Sequence, residues 1–372
     1  MCTLKSRANT PAGKRLTDNA LLPNEGAITM ANLHFSEPDV ELVSQLLNRH
    51  ADALPPRVLF VNPPDQLPAS RRPPLLWSTD WLSARHWGAA CHFGAEPPAA
   101  LEVDLVVINW PKSHRLGHYQ LAALAARVAP GTALWLVGEK RGGVATAAKQ
   151  LSASPGPWQP PHKADAARHC LLFTSALQQQ GSAVSLTPLA PFTIDSGKGA
   201  LRLASFAGVF GEGGLDEGSA LLLGCLNDLP EGPLVDVGCG CGVLGLTLAQ
   251  RGHRQVTLCD VNAMALAASR YNASANGLQV EVVASDLLDD LPATPLAAII
   301  SNPPFHEGLN QTLAITERLV ASSWLRLRPG GELRLVANRH LPYAELLAAQ
   351  FGHFDVLAEN NRFKVYRMVR GR

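Results

Sequence analysis

The stretch Asp236-Val-Gly-Cys-Gly-Cys-Gly242 ends an apolar run in a carboxylate and places glycines at 238, 240 and 242. Glycines so spaced permit a tight turn from a strand into a helix, and they let a ligand approach bare backbone. Eighteen residues beyond Gly242 a second apolar run ends in Asp260, where a carboxylate can accept from both hydroxyls of a ribose. Gly240-Cys-Gly-Val-Leu-Gly245 also meets the dinucleotide-binding pattern, so these residues alone suit two classes of nucleotide-like ligand. Asn302-Pro-Pro-Phe305, after the buried-looking run Ala-Ala-Ile-Ile, separates them. Its prolines stiffen the backbone, so that the Asn302 side-chain oxygen and the Pro303 carbonyl can converge on one amino group. Phe305 could stack on an aromatic ring. Hydride transfer has no evident use for that arrangement, whereas group transfer to an exocyclic base nitrogen does.

The elements that must position these residues are legible from periodicity. In the second half, strands are expected at 233–237, 255–260, 280–284, 297–301 and 332–337. They alternate with helices running to 249 and over 263–275, 312–327 and 343–350. Asp355–Ala358 and Arg362–Val369, joined by Glu359-Asn-Asn361, suit a terminal hairpin. Such alternation predicts a doubly wound, mostly parallel sheet with an antiparallel edge and a ligand at the carboxyl ends of the strands. The first half alternates as well. A helical pattern begins at Val40, with Leu42, Val43, Leu46 and Leu47 on one face. Strands are expected at 57–61, 104–108, 133–137 and 169–174, and a helix at 120–128. A weak internal repeat joins the halves. Asp104-Leu-Val-Val-Ile-Asn-Trp-Pro-Lys112 and Ala297-Ala-Ile-Ile-Ser-Asn-Pro-Pro-Phe305 are each followed by a helix and then by Pro-Gly before a strand. Only the second copy has the glycine turn, which suggests duplication with decay of the first.

Composition sets outer limits. The chain has 372 residues, 47% hydrophobic and 17% charged, enough to bury two sizeable cores and far from a disordered composition. Residues 1–29 are polar and aperiodic and read as a tail, with Met30 as an alternative start; 30–178 form the first domain, 179–190 a linker and 191–372 the second domain. The sequence shows no signal peptide and no apolar run of membrane-spanning length, and its seven cysteines form no disulfide framework, so a cytoplasmic, reduced protein is expected. Cys239 and Cys241 are read as small side chains beside glycine rather than metal ligands, and no metal is expected. Trp77, Trp81 and Trp87, at helical spacing, are read as core or interface residues, and His306 as a loop histidine.

These motifs resemble a known family. Asp236–Gly242 with Asp260 resembles the cofactor motifs of class I S-adenosylmethionine (SAM)-dependent methyltransferases, and Asn302–Phe305 the Asn-Pro-Pro-aromatic motif of their amino-group branch. With Gly208-Val-Phe210, Gly214-Leu-Asp-Glu-Gly-Ser219, Ser301–Gly308 and Arg362-Phe-Lys-Val-Tyr-Arg367, the chain over about 32–372 resembles the RsmC family of bacterial 16S rRNA guanine-N2 methyltransferases. The resemblance implies two tandem Rossmann-like methyltransferase domains, each with a seven-stranded sheet, the first degenerate. It further implies that Asp236, Gly238, Gly240 and Gly242 cradle the methionine part of SAM, that Asp260 holds the ribose, and that Asp286 meets the adenine amino group. Gly214, Leu215 and Asp216 would close over the cofactor. Asn302, Pro303 and Pro304 would orient the guanine amino group, and Phe305 would stack on the flipped base. In-line methyl transfer to such a nitrogen needs alignment and no dedicated general base.

The implied partner is 16S rRNA, within the 30S subunit, bound by a monomer. Net charge is +1 overall, but −3 over 181–372 and +2 over 30–180, so the second half must hold RNA through local patches. Arg362, Lys364 and Arg367, continued by Arg370 and Arg372, are the plainest such patch; Trp110, Lys112, His114 and Arg115 are a second candidate in the first half. Two other classes remain open at this stage: an amino methyltransferase acting on DNA adenine or protein glutamine, and a non-catalytic assembly factor that retains SAM affinity.

Overall fold

The computed structural model describes residues 41–99, 101–154, 156–211, 214–303 and 309–371. The first half builds a seven-stranded sheet from β1 (Val58–Val61), β2 (Leu75–Ser78), β3 (Cys91–Phe93), β4 (Leu105–Asn109), β5 (Ala133–Glu139), β6 (His162–Ala167) and β7 (Cys170–Ala176), in the order β3-β2-β1-β4-β5-β7-β6. All neighbours are parallel except β7, which runs antiparallel to β5 and β6. Helices α1 (Leu42–Asn48), α2 (Trp81–Trp87), α3 (His114–Ala125) and α4 (Val144–Ala153) accompany it. A small hairpin, β8 (Phe192–Asp195) with β9 (Ala200–Leu203), and α5 (Glu217–Leu223) precede the second sheet. That sheet comprises β10 (Leu234–Val237), β11 (Val256–Asp260), β12 (Glu281–Ala284), β13 (Leu296–Ser301), β14 (Leu327–Asn338), β15 (Asp355–Glu359) and β16 (Phe363–Val369). Helices α6 (Val243–Arg251), α7 (Ala263–Ala275), α8 (Leu309–Arg326) and α9 (Tyr343–Phe351) connect it. Its order, β12-β11-β10-β13-β14-β16-β15, repeats the first strand for strand.

The molecule is thus two tandem Rossmann-like domains. The central strands β1, β10 and β13 are buried along their whole length, because helices cover both faces of a parallel sheet and a continuous apolar run serves both. Val235, Val237 and Ile299 face Leu319, Val320 and Tyr343 on one side; Leu234, Ile300 and Leu258 face the α6 and α7 side.

Several elements depart from the sequence expectation. β2 and β3 are short, and β6 is largely exposed, so none of them stands out as an apolar run. Trp77 therefore lies on a strand, fully buried with its indole N–H on the Gly94 carbonyl, rather than at helical spacing. α3 begins at His114, because Ser113 caps it, six residues before the apolar pattern starts. Arg328-Pro-Gly-Gly331, expected as a turn, lies within β14, where the register against β13 shifts. Between Leu177 and Phe192 the chain has no helix or strand; Gly181 donates to the Ala125 carbonyl and Leu189 to that of Ser205. The two domains also meet directly. Trp81 donates its backbone N–H to the Val261 carbonyl at 2.8 Å, and Ala263 donates to that of Thr79 at 2.7 Å. The start of α2 is thereby fixed against the loop that follows Asp260. No helix among the described residues is long and apolar enough to cross a membrane.

Candidate active site

β10 delivers Asp236 to the carboxyl edge of the second sheet. One carboxylate oxygen, Oδ2, accepts the Gly245 N–H at 2.8 Å, at the start of α6, while Oδ1 is buried with no partner. Burial pushes this carboxyl up to about 7. Gly238, Gly240 and Gly242 all adopt positive φ, at 72°, 55° and 87°, but for different reasons. A Cβ at Gly238 would meet nothing within 4 Å, so the first glycine leaves backbone open to a ligand. A Cβ at Gly242 would lie 2.9 Å from Leu246 and 3.1 Å from Leu258, so the third lets the helix close against the sheet. Asp260, at the end of β11, ties the loop down. Its Oδ2 accepts the Gly240 N–H and its Oδ1 that of Asn262, both at 2.9 Å, and the Val261 N–H is a third backbone donor to the carboxylate. Desolvation raises this carboxyl too.

Asp286 follows β12. Its Oδ2 accepts from Arg318 at 2.7 Å, and its backbone N–H donates to Asp290 at 3.0 Å. The Asp290 carboxylate also accepts the indole N–H of Trp81 at 2.9 Å and a guanidinium N–H of Arg85 at 3.3 Å. The first domain thus holds the loop that carries Asp286.

Asn302 emerges from β13, whose last residue, Ser301, donates its hydroxyl to the Val237 carbonyl at 2.9 Å. The Asn302 amide nitrogen donates to Asp216 Oδ1 at 3.1 Å and to Ser219 Oγ at 2.9 Å, and its Oδ1 is buried without a partner. Pro303 is buried beside it; Pro304, Phe305 and His306 lie outside the described residues. Asp216 caps α5, its Oδ1 also accepting the Gly218 and Ser219 N–H groups at 3.0 Å. Asp216 therefore contacts Asn302, a pairing that sequence reading missed. Ser219 was identified as the end of the Gly214–Ser219 motif but given no role, although Asp216-Glu-Gly-Ser219 carries the signal of a capped helix start. Leu215, immediately before, is partly exposed, and Gly214 adopts φ 123°.

Each of the three basic residues of the terminal hairpin has an acidic partner. Arg362 pairs with Glu217 at 3.0 Å, and Asn360 donates to the same carboxylate, docking the hairpin turn on α5. Lys364 lies 3.4 Å from Glu359. Arg367 bridges Glu332 at 2.6 Å and Asp355 at 3.3 Å, in a network that includes the fully buried Arg334. Arg372 lies outside the described residues. In the first domain Trp110 is core: it is buried, and its ring meets His114 and His118 edge-on. Lys112 lines a cavity of about 560 Å³ with Asn62, Asp80 and Asn109, at the carboxyl ends of β1, β2 and β4. Cys239 and Cys241 are buried; burial raises both thiols, that of Cys241 to about 11, so both pack as neutral side chains.

The comparisons with known proteins agree with this geometry. The family described as Methyltransferase small domain matches residues 200–367, and Methyltransferase small domain N-terminal matches 44–191. The ribosomal RNA small subunit methyltransferase C of Stutzerimonas stutzeri is 42% identical over 337 residues, covering 88% of this chain and 99% of that protein. Its counterpart in Pseudomonas putida is 46% identical over 292 residues, covering 78% and 86%. Among solved structures, the T. thermophilus 16S rRNA N2 G1207 methyltransferase (RsmC), in complex with AdoMet and guanosine, superposes with a TM-score of 0.76 at 24% identity. It covers 88% of this chain and 91% of its own, a likeness of fold.

Proposed function

The chain belongs to the ribosomal RNA small subunit methyltransferase C family, and from that premise we propose that it transfers the methyl group of SAM to the exocyclic N2 of a guanine in 16S rRNA. One observation carries the reading: at the carboxyl edge of the sheet, next to an open glycine loop, the Asn302 Oδ1 is a buried acceptor with nothing to accept. A buried acceptor without a donor is costly, by about 1–3 kcal/mol, and a substrate amino group relieves that cost.

The residues fit the cofactor. The uncovered backbone at Gly238 and Gly240 and the orphaned Asp236 Oδ1 suit a cationic amino acid moiety, with Gly242 shaping the turn. The remaining acceptor capacity of Asp260 suits a ribose hydroxyl, Asp286 suits an adenine amino group, and Gly214 and Leu215 flank the opening. SAM supplies an already activated methyl group when bound. The protein therefore contributes alignment. Asn302 Oδ1 and the Pro303 carbonyl accept from the two amino hydrogens, drawing the nitrogen out of conjugation with the ring and aiming its lone pair. Pro304 stiffens this backbone, and Phe305 is assigned the stack on the extruded base, offsetting part of the cost of unstacking. No general base is assigned.

Residues 191–372 carry this chemistry, and 30–178 act as a support on the RNA side, joined by 179–190; residues 1–29 lie outside the described residues. Arg362, beside α5, is the basic residue best placed to meet RNA near the site, whereas Lys364 is engaged by Glu359 and Arg367 by Glu332 and Asp355. The substrate is 16S rRNA within the 30S subunit, met by a monomer in the cytoplasm. The test is transfer of labelled methyl from SAM to unmodified 30S subunits, free 16S rRNA, DNA and a release-factor protein, with nuclease digestion to identify the product. The expected result is N2-methylguanine in 16S rRNA, reduced about 10²–10³-fold in Asn302→Ala. Label on DNA or protein overturns the substrate, and SAM binding without any transfer makes the protein an assembly factor.

A further inference from the structure

We propose that Asp216 and Ser219 are positioning residues which fix the end of the Asn302 amide that faces the acceptor. The inference rests on Asn302 being the group that receives the substrate amino. An asparagine amide is close to symmetric in shape, so packing alone does not choose between its oxygen and its nitrogen. Chemistry chooses here. A carboxylate only accepts, so the Asn302 end facing Asp216 must be the NH2. Asp216 Oδ1 takes one hydrogen at 3.1 Å and Ser219 Oγ the other at 2.9 Å. Both donors are committed, and Oδ1 is left as the only free end. In the flipped rotamer two donors would face the substrate amino group, and the carbonyl oxygen would be pressed against a carboxylate.

The clamp is backed by close packing. A Cβ at Gly218 would lie 3.1 Å from Asp216 Oδ1, 3.5 Å from the Phe363 ring and 3.6 Å from the Asn302 amide nitrogen. A methyl here would crowd the Asp216 carboxylate and touch Phe363 and Asn302 at ordinary contact distance, so glycine leaves the clamp uncrowded. Arg362 and Asn360 on Glu217 hold the hairpin turn against the same helix. A site that accepts from NH2 is thus built into the apo fold, and it selects amino over carbonyl acceptors before any substrate arrives.

The test separates the clamp from the helix cap. In D216S a competent cap remains, but the side chain is too short to reach Asn302; in D216N both the cap and the acceptor oxygen remain. Expected kcat losses are about 10-fold for D216S and about 10-fold for S219A, with D216N at least about five-fold more active than D216S, and with SAM affinity and Tm within about two-fold and 2 °C of each other. Equal kcat for D216S and D216N would reduce Asp216 to a cap and overturn the proposal. Turnover is measured on whichever acceptor the wild type methylates, so a wrong substrate assignment leaves the comparison intact. A second readout needs no turnover. In ¹⁵N-asparagine-labelled protein, the Asn302 side-chain NH2, identified by its loss in N302A, exchanges slowly with solvent in the wild type and faster in D216S and S219A. Exchange at the free-amide rate in the wild type overturns the clamp whatever the substrate proves to be.

Discussion

Asp236→Asn should stabilise the apo protein at alkaline pH while weakening its hold on SAM. The Asp236 carboxyl is buried and pushed up to about 7, against about 3.9 in an unfolded chain. The native state therefore binds this proton more tightly than the unfolded state. The associated stability is fully present below about pH 4 and is lost as pH rises through about 7. Integrated over that shift, the stability lost relative to low pH is roughly 4 kcal/mol at about pH 8, where the buried side chain is ionised, and roughly 1.5 kcal/mol at about pH 5, where only the unfolded carboxyl is. Asparagine abolishes the penalty and keeps an acceptor for the Gly245 N–H, but its NH2 takes the place of the orphaned Oδ1 and has no acceptor, a cost of about 1–3 kcal/mol. The net is a gain of about 1–3 kcal/mol at about pH 8, or a few degrees in Tm, and no gain or a small loss at about pH 5. Thermal unfolding of both proteins across this range checks it, since other titrating groups cancel in the difference. SAM should raise the Tm of the wild type more than that of the variant, because the cationic ligand meets an anion only in the former. A Tm difference that is flat in pH, or a variant less stable at about pH 8, would refute the reading of a strained, buried carboxylate.

Gly242→Ala, at φ 87° and 2.9 Å from Leu246, should lower stability by about 2–5 kcal/mol, read as Tm; Gly238→Ala, which meets no atom, should cost far less stability yet abolish SAM binding in calorimetry. Trp81→Phe removes the indole N–H from Asp290 and should weaken SAM affinity about 3–10-fold through the loop that carries Asp286, with the Asn302→Ala variant unaffected in that assay.

Legibility followed locality. The glycine turn, Asp260 and the helix over Ala263–Ala275 could be read because a strand end, a turn and a helix start are written within a few consecutive residues. What escaped notice is held across the chain. Asn302 finds Asp216 and Ser219 more than eighty positions away, and the short α5 that presents them has too few residues to show a period. Arg367 looked like a surface cation because its neighbours in sequence are basic, but pairing of β14 with β16 brings Glu332 beside it. Charge runs on a strand describe one edge only, and the partner strand decides whether they are free.

The repeated sheet order lets the two copies be compared position by position. β1 pairs with β4 at Val61 and Ile108 as β10 pairs with β13 at Val237 and Ser301, so Asn62-Pro-Pro stands where Gly238-Cys-Gly stands, and Asn109 stands where Asn302 does. Proline, with φ held near about −65°, cannot adopt the positive φ that Gly240 takes in the second copy. Asn62, at φ 51°, turns its side chain inward, where it exchanges two hydrogen bonds with Gln120 and donates a third to the Asn109 carbonyl. Ser78 replaces the acid that ties the glycine loop in the second copy. In the first copy Asn62 is thus satisfied internally, while the Thr79 carbonyl and the Trp81 N–H pair with the loop after Asp260, and the Trp81 indole pairs with Asp290. A fold that leaves Asp236 Oδ1 and Asn302 Oδ1 unpartnered sacrifices stability at its own centre. A second domain hydrogen-bonded to the loop after Asp260 and to the loop that carries Asp286 offsets that loss, which is a physical reason for the first domain to persist.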